Sequence, residues 1–345
     1  MTNRRLCFSF FIFSFSLTSA QWITQQSGIA NRFRGISSVD DSTVWASGTK
    51  GCVVRTTDGG TNWKSVNVPG ADSLDFRDIY AVDANTAYVL SIGTGISARI
   101  FKTLNGGGSW KEQFRNSDSK LFFDAFAFWD RTHGIAMTDE SEGRIHFVAS
   151  ADGEHWNDFI PRQLPPSLPG EGAFAASGTC IVTWRSRHIW IGTGSGPEAR
   201  VFRSSDRGET WKVSSTPIRH GSQTKGIFSL AFADSLRGVI VGGDYQKELE
   251  ADSSAAFTTD GGATWTLSSN NPSGYRSCVV VVHGIAPRLL VAVGPSGSDY
   301  SKDFGRSWIP LDTLGFHAIT TAGHGAAWAD GEKGRIAKLS LPATH

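Results

Sequence analysis

No two cysteines in this sequence stand at the spacing of a zinc or redox pair, and there is neither a CxxC nor an HExxH. With four cysteines in 345 residues, a disulfide-built scaffold is excluded. Cys7 lies in the N-terminal apolar stretch; Cys52, Cys180 and Cys278 lie far apart in apolar, strand-like runs and are expected as buried free thiols. An excess of one charge is missing too. Lys and Arg number 33 against 32 Asp and Glu, so there is no basic footprint for nucleic acid and no polybasic run for an anionic membrane. No segment carries the capping signals and 3.6-residue periodicity of an amphipathic helix, and there is no low-complexity tail. No pattern calls for a metal or a cofactor, and neither is expected.

The one long apolar run is N-terminal. Arg4 and Arg5 precede the stretch Leu6 to Leu17, and Thr18, Ser19 and Ala20 supply small residues before Gln21. This is the layout of an export signal over residues 1–20, and the run is too short to span a bilayer comfortably. No cysteine follows the cleavage point, which argues against a lipid anchor. The expected product is a secreted or periplasmic domain over residues 21–342.

What is abundant is glycine, at 39, and tryptophan, at 12. Many of them belong to one motif. Thr56-Thr57-Asp58-Gly59-Gly60-Thr61-Asn62-Trp63 recurs in recognisable form six times, the other copies ending at Trp110, Trp156, Trp211, Trp265 and Trp308. Successive tryptophans are 47, 46, 55, 54 and 43 residues apart. A period of that size with strand-like runs between copies means radial repetition of a small sheet, hence an all-β propeller of four-stranded antiparallel blades. Each unit reads as an inner strand, a second strand, a third strand, the motif turn, and an outer strand. Pro161 to Pro169 reads as a long connection between blades three and four, because the period resumes directly after it.

Inner strands are expected to begin near Ile36, Ile79, Phe126, Phe174, Phe228, Cys278 and Ile319, seven starts for six motif turns. The unit from Trp45 overlies the unit from Trp328 without a gap, at an offset of 283 residues. The seventh unit lacks an outer strand, and Gln21 to Gln26 is the candidate to supply it, with Trp22 where Trp63 sits in unit one. The expectation is therefore seven blades, the last closed by the N-terminal strand, which pairs both free sheet edges.

In the motif, the carboxylates Asp58, Asp152, Asp206, Asp260 and Asp303, and Asn105 in their place in the second copy, can accept hydrogen bonds from turn amides. Glycine takes the positive φ. The rings of Trp63, Trp110, Trp156, Trp211, Trp265 and Trp308 fill space between blades. A structural role at the outer rim fits better than catalysis or calcium binding.

The pattern Ser/Thr-x-Asp-x-Gly-x-Ser/Thr/Asn-Trp is the Asp-box, or BNR repeat. Units such as Trp45-Ala46-Ser47-Gly48-x-x-Gly51 followed by the motif resemble the photosystem II stability/assembly factors of cyanobacteria and chloroplasts, and the exported bacterial propellers related to them. The resemblance covers the whole chain after residue 20. It implies a non-catalytic scaffold that binds another protein. Asp-boxes also occur in sialidases, xyloglucanases and the sortilin luminal domain. Sialidases need an arginine triad and a Tyr–Glu pair, and Phe33-Arg34-Gly35-Ile36 is only a faint echo of their first arginine motif.

A ligand site would lie at one mouth of the axial channel. The residues just before each inner strand are Arg34, Arg77, Asp124, Gly172, Gly226, Arg276 and His317. Blades six, seven, one and two are neighbours, so Arg276, His317, Arg34 and Arg77 are expected as one basic arc, suited to a carboxylate, phosphate or acidic peptide. Opposite them stand acidic loops with Asp139, Glu140 and Glu142, and with Asp244, Glu248, Glu250 and Asp252; the longest of these loops begins at Tyr245. Such a polarised face would orient a partner. Simple pairing of these charges along the rim is the competing reading. Three functions stay open: a monomeric scaffold for another exported or membrane protein, a sialidase-like or other carbohydrate-active enzyme using Asp124, Glu142 or Glu171, and a glycan-binding propeller with Trp129, Trp184 or Trp190 as stacking platforms.

Overall fold

A computed structural model describes residues 21–282, 289–321 and 326–340; the export signal read over residues 1–20 lies outside them. The described chain folds into seven antiparallel sheets arranged as the blades of a propeller. Blade one shows the plan: Phe33–Ser38 innermost, then Val44–Gly48, Val53–Thr56 and Lys64–Ser65. Burial explains the sequence of each strand. Val44–Gly48 is buried at all five positions and Leu289–Gly294 at all six, because second strands are covered on both faces by neighbouring blades. The outer strand Lys64–Ser65 is exposed at both positions. Cys52, Cys180 and Cys278 are free and buried.

Closure follows the expected register. Gln21–Gln25 pairs antiparallel with Ile336–Ser340, Ile23 facing Lys338 as Lys64 faces Arg55 in blade one. Trp22 thus occupies the position of Trp63. It is 9% exposed, donates from Nε1 to Ser298 Oγ at 3.0 Å, and packs on Phe316 with centroids 4.7 Å apart. The ring therefore closes by hydrogen bonds between the two ends of the chain.

The motif turns repeat atom for atom between third and outer strands. In blade one, Thr56 Oγ1 donates to Asp58 Oδ1 at 2.8 Å and accepts from the Gly60 amide at 3.0 Å. Asp58 also accepts from Asn62 N at 2.9 Å and Asn62 Nδ2 at 2.8 Å. Ser204, Asp206, Gly208 and Thr210 make the same set, as do Thr258, Asp260, Gly262 and Thr264, and Ser301, Asp303, Gly305 and Ser307. Asn105 keeps the pattern with Thr103 and Ser109. In the shortened copy Asp152 holds His155 through both backbone and ring nitrogen. Gly60 has φ +87°, and a Cβ there would stand 2.8 Å from the Trp328 ring, so glycine is required twice over.

These turns also latch blade to blade. Trp63 meets Trp328 edge-on at 6.1 Å, and Trp110 meets Trp45 at 6.3 Å. Trp190 Nε1 donates to Gly261 O of the next blade's turn at 2.9 Å, and the Tyr88 hydroxyl to Gly153 O at 3.0 Å. The ring nitrogens of Trp110 and Trp211 find backbone carbonyls, whereas those of Trp63, Trp265 and Trp308 are buried without a partner.

Candidate functional site

Four inner strands carry a β-bulge at the same place, and the bulge decides what faces the axis. Pairing skips Arg34 between Phe33 and Gly35, Arg77 between Phe76 and Asp78, Asp124 between Phe123 and Ala125, and Phe228 between Ile227 and Ser229. An extra residue in one strand re-aims its side chain; here all four line one cavity of about 650 Å³ at the channel mouth. His317, Tyr245, Tyr275, Phe174, Asp139, Glu248 and Glu332 complete its walls. Its size suits a small ligand or a peptide side-chain cluster, within roughly 300–1,000 Å³.

The floor comes from blade four. The sequence placed that blade's inner strand near Phe174, but regular strand starts only at Ile181. Residues 173–180 instead cross the axis. Arg77 Nη1 donates to Ala175 O at 3.0 Å, Ser177 Oγ to Ser277 O at 2.9 Å, and Thr179 Oγ1 lies 2.6 Å from Ser229 Oγ. A segment of blade four that reaches blades two, five and six fills the channel. Gly178, with φ +75°, lies against the Asp78 carboxyl, where a Cβ would stand 2.3 Å from Oδ1.

Buried carboxyls hold this floor. Asp139 accepts from Ala173 N at 2.9 Å, and the Asp124 carboxyl lies beside Asp139 and the Ala175 amide. Burial, and then the neighbouring Asp139, push Asp124 well above the usual carboxylate range. Burial pushes Asp139 to about 6 and Asp78 to about 7. Asp124 Oδ2 has no partner.

The basic side is not a simple rim of paired charges. Arg77 is bound to Asp75 at 2.8 Å. Arg34, by contrast, makes no hydrogen bond or ion pair with any described residue, and its Nε is buried. Burial, then Arg77, lowers its pKa. His317 Nε2 lies 2.9 Å from Glu332 Oε1; burial and Arg34 push it down to about 4, so it is neutral at pH 7.

Arg276 departs from expectation. It is 1% exposed and points away from the cavity, its Nε 2.5 Å from Asp299 Oδ2 and its Nη1 bonded to Tyr275 O and Ser296 Oγ. Blade six has no bulge before Cys278, so the neighbouring Tyr275 takes the place at the mouth. Among the described residues the basic arc is thus Arg34 and Arg77, with no third arginine. Gly172 and Gly226 serve as close backbone contacts, each pairing with Gly194. Glu171 is buried and ion-paired with Arg200, and Glu142 is paired with Lys120 outside the cavity. Trp190 is in the core, Trp129 and Trp184 pack against interblade clusters, and none lines the cavity. Phe228, Tyr275 and Glu332 were missed. Counting from the buried residue shared by Phe33, Phe76, Phe123 and Ile227, rather than from an expected strand start placed at Phe228 itself, would have found Phe228.

A second concavity of about 650 Å³ lies on the flank between blades two and three, lined by Phe114, Ile145, Phe147, Phe159 and Leu164 among others. Arg115 pairs with Glu112 and Glu142 with Lys120, while Arg144 and Asp158 are exposed and unpaired among the described residues. The channel mouth, where the unpaired Arg34 has a buried Nε, is the better candidate.

No family model matches the chain. A xyloglucanase, Xgh74A of Acetivibrio thermocellus, is 24% identical over 246 residues, which is 62% of this chain and 28% of that protein; the chain thus spans well under half the length of the curated relative it matches. Among solved structures, one of YCF48 bound to D1 peptide superposes with a TM-score of 0.65 at 13% identity, covering 94% of this chain and 98% of that one. YCF48 from Cyanidioschyzon merolae gives 0.63 at 14%, covering 94% and 99%. The WD40 propeller domain of Doa1 gives 0.62 at 12%, covering 94% and 97%. At these identities the likeness is one of fold.

Proposed function

We propose that this propeller is an exported, non-catalytic scaffold that binds an acidic segment of another protein at its channel mouth. The observation that carries this reading is Arg34. A guanidinium whose buried Nε has no acceptor among the described residues, beside a second guanidinium, costs stability unless something compensates. A carboxylate from outside would supply what Arg34 lacks, and Arg77 would be its neighbour in the same cavity. Strain of this kind is a mark of binding sites. That a propeller of the same fold, YCF48, has been captured with a D1 peptide supports protein segments as a ligand class for the architecture.

A carbohydrate-active enzyme is the competing reading, favoured by the xyloglucanase match and by carboxyls sharing the cavity with arginines. Asp124 and Asp139 argue against it. Glycosidase carboxyls stand roughly 5–10 Å apart with the sugar between them, whereas these two are direct neighbours and Asp139 holds a backbone amide.

The test is peptide display against the mature protein, with Arg34→Ala/Arg77→Ala as counter-selection. Selected peptides should be rich in Asp or Glu, bind more weakly as salt rises, and be lost with the double variant. Selection of neutral peptides, or retention by the variant, would overturn the reading.

A further inference from the structure

The cavity has a second pole. In a seven-membered ring, blade one faces blades four and five across the axis, so Arg34 looks toward Phe174 and Phe228. These two rings are stacked, with centroids 3.8 Å apart and planes 12° apart. Tyr245 stands nearly perpendicular to both, at 6.5 Å and 6.2 Å, and Tyr275 stands at 77° to Phe228 at 4.7 Å. Rings meeting near right angles make a corner. The corner is preset: a Cβ on either Gly194 or Gly226 would come 2.9 Å from the Phe174 ring, so the paired glycines form a flat seat for it.

Carboxyls flank this corner on both sides. Asp124 and Asp139 stand on the blade-three side, where burial and the neighbouring Asp139 favour the neutral form of Asp124, so that it offers a hydrogen-bonding group rather than a charge. Glu248 stands on the other. Its backbone carbonyl is pinned against blade six by the Tyr275 amide at 2.9 Å and Ser296 Oγ at 3.2 Å. Its side chain is exposed and makes no ion pair with a described residue, unlike Glu250, which is held by Arg219 and Lys247. Aromatic faces attract cations, and the unpaired Glu248 carboxylate adds to that attraction.

We infer that the exposed Tyr245 ring and the Glu248 carboxylate, set against the stack of partly buried Phe174 and buried Phe228, form a subsite for a cationic side chain, so that the bound segment presents an acidic group to Arg34 and a basic group to the opposite wall. This rests on the proposed acidic-segment reading and narrows it. The occupant is a dipolar segment, with its two charges a cavity's width apart.

The experiment is calorimetric titration of the full mature protein with capped peptides carrying one aspartate, zero to four glycines and one arginine. Matched series end in leucine or in glycine alone. The arginine series should have an optimum spacer and bind about tenfold tighter there than the leucine and glycine series. Tyr245→Leu/Glu248→Gln, both at exposed positions and expected to leave the melting temperature unchanged, should bring the arginine series down to the level of the glycine series on the same variant. Equal binding of arginine and leucine peptides would overturn the inference, as would an arginine advantage that survives the double variant. Glycine-series binding that depends on Arg34, with no gain from arginine, would sink this inference alone. Failure of every series to bind would sink the acidic-segment reading with it.

Discussion

The rim and the mouth of this propeller are built by opposite rules. At the rim, six turns repeat one set of hydrogen bonds with nearly the same residues. At the mouth, equivalent positions carry arginine twice, then aspartate and phenylalanine. The rim satisfies its carboxylates. The mouth leaves Arg34 Nε and Asp124 Oδ2 buried without partners. Repetition marks what every blade needs in order to stand; variation at equivalent positions and unpaired charge mark what the ring as a whole presents to a ligand. The two regions should therefore respond differently to substitution and pH.

The largest effect is expected where the rim is completed by the far end of the chain. Deleting residues 21–28 removes the outer strand of blade seven and should greatly lower the melting temperature. Trp22→Ala is the graded form, expected to cost about 3–5 kcal/mol and a fall of roughly 5–10 °C. An unchanged melt in both would break the view that the strand closes the ring.

Next comes pH. For rim carboxylates the folded pKa is depressed. In Asp260, burial acts upward but hydrogen bonds from Thr264 and Thr258 win and hold it at about 2. Their contribution is present above about pH 4 and is lost as pH falls toward 2. For channel carboxyls the folded pKa is raised, to about 7 in Asp78 and about 6 in Asp139, by burial. Their contribution is present below about pH 4 and is lost as pH rises through 6 to 7. Asp78→Asn should thus raise stability by a few kcal/mol at pH 8 and make no such gain at pH 4. Denaturant melts at the two pH values measure it, and equal effects at both would remove the contrast in sign.

How much of each region was legible in the sequence follows from the range of its interactions. The rim turns close between residues two and four apart, as from Thr56 to Asp58 and from Asn62 to Asp58. Local bonding dictates residue type, so the motif could be read, and with it the blade number and the closing strand. Arg34, Arg77, Asp124 and His317 were singled out because each stands two residues before an expected strand start; three of them lie inside the strands themselves, and all four line the cavity. Arg276 was misplaced because facing direction depends on a bulge, and a bulge makes no demand on residue type. The floor of the cavity was invisible for a stronger reason: Ala175 is held by Arg77, 98 residues away, and Ser177 by Ser277, 100 residues away.

A smaller effect is expected from a single rim turn. Asp206 accepts from Ser204 Oγ at 2.8 Å, Thr210 N at 2.9 Å and Thr210 Oγ1 at 2.6 Å. Asp206→Ala leaves these donors to water at a partly exposed site and should cost about 1–2 kcal/mol. Peptide binding at the mouth should stay within twofold. A stability loss with binding also lost would show that rim and mouth are coupled rather than separate.

The smallest effect gives the sharpest test of the rim rule. Asn105 already accepts from Ser109 N at 2.8 Å and donates from Nδ2 to Ser109 Oγ at 3.0 Å. Asn105→Asp changes no heavy-atom position; the Ser109 hydroxyl need only rotate to donate where it now accepts. The gain is the difference between a neutral and a charge-assisted hydrogen bond at an exposed turn, about 0.5 kcal/mol or less. It should appear as a rise in melting temperature near pH 7 and vanish as pH falls through the carboxylate range, because only the ionised aspartate differs usefully from asparagine. A gain that persisted at pH 2 would mean that the turn prefers aspartate for some reason other than its charge.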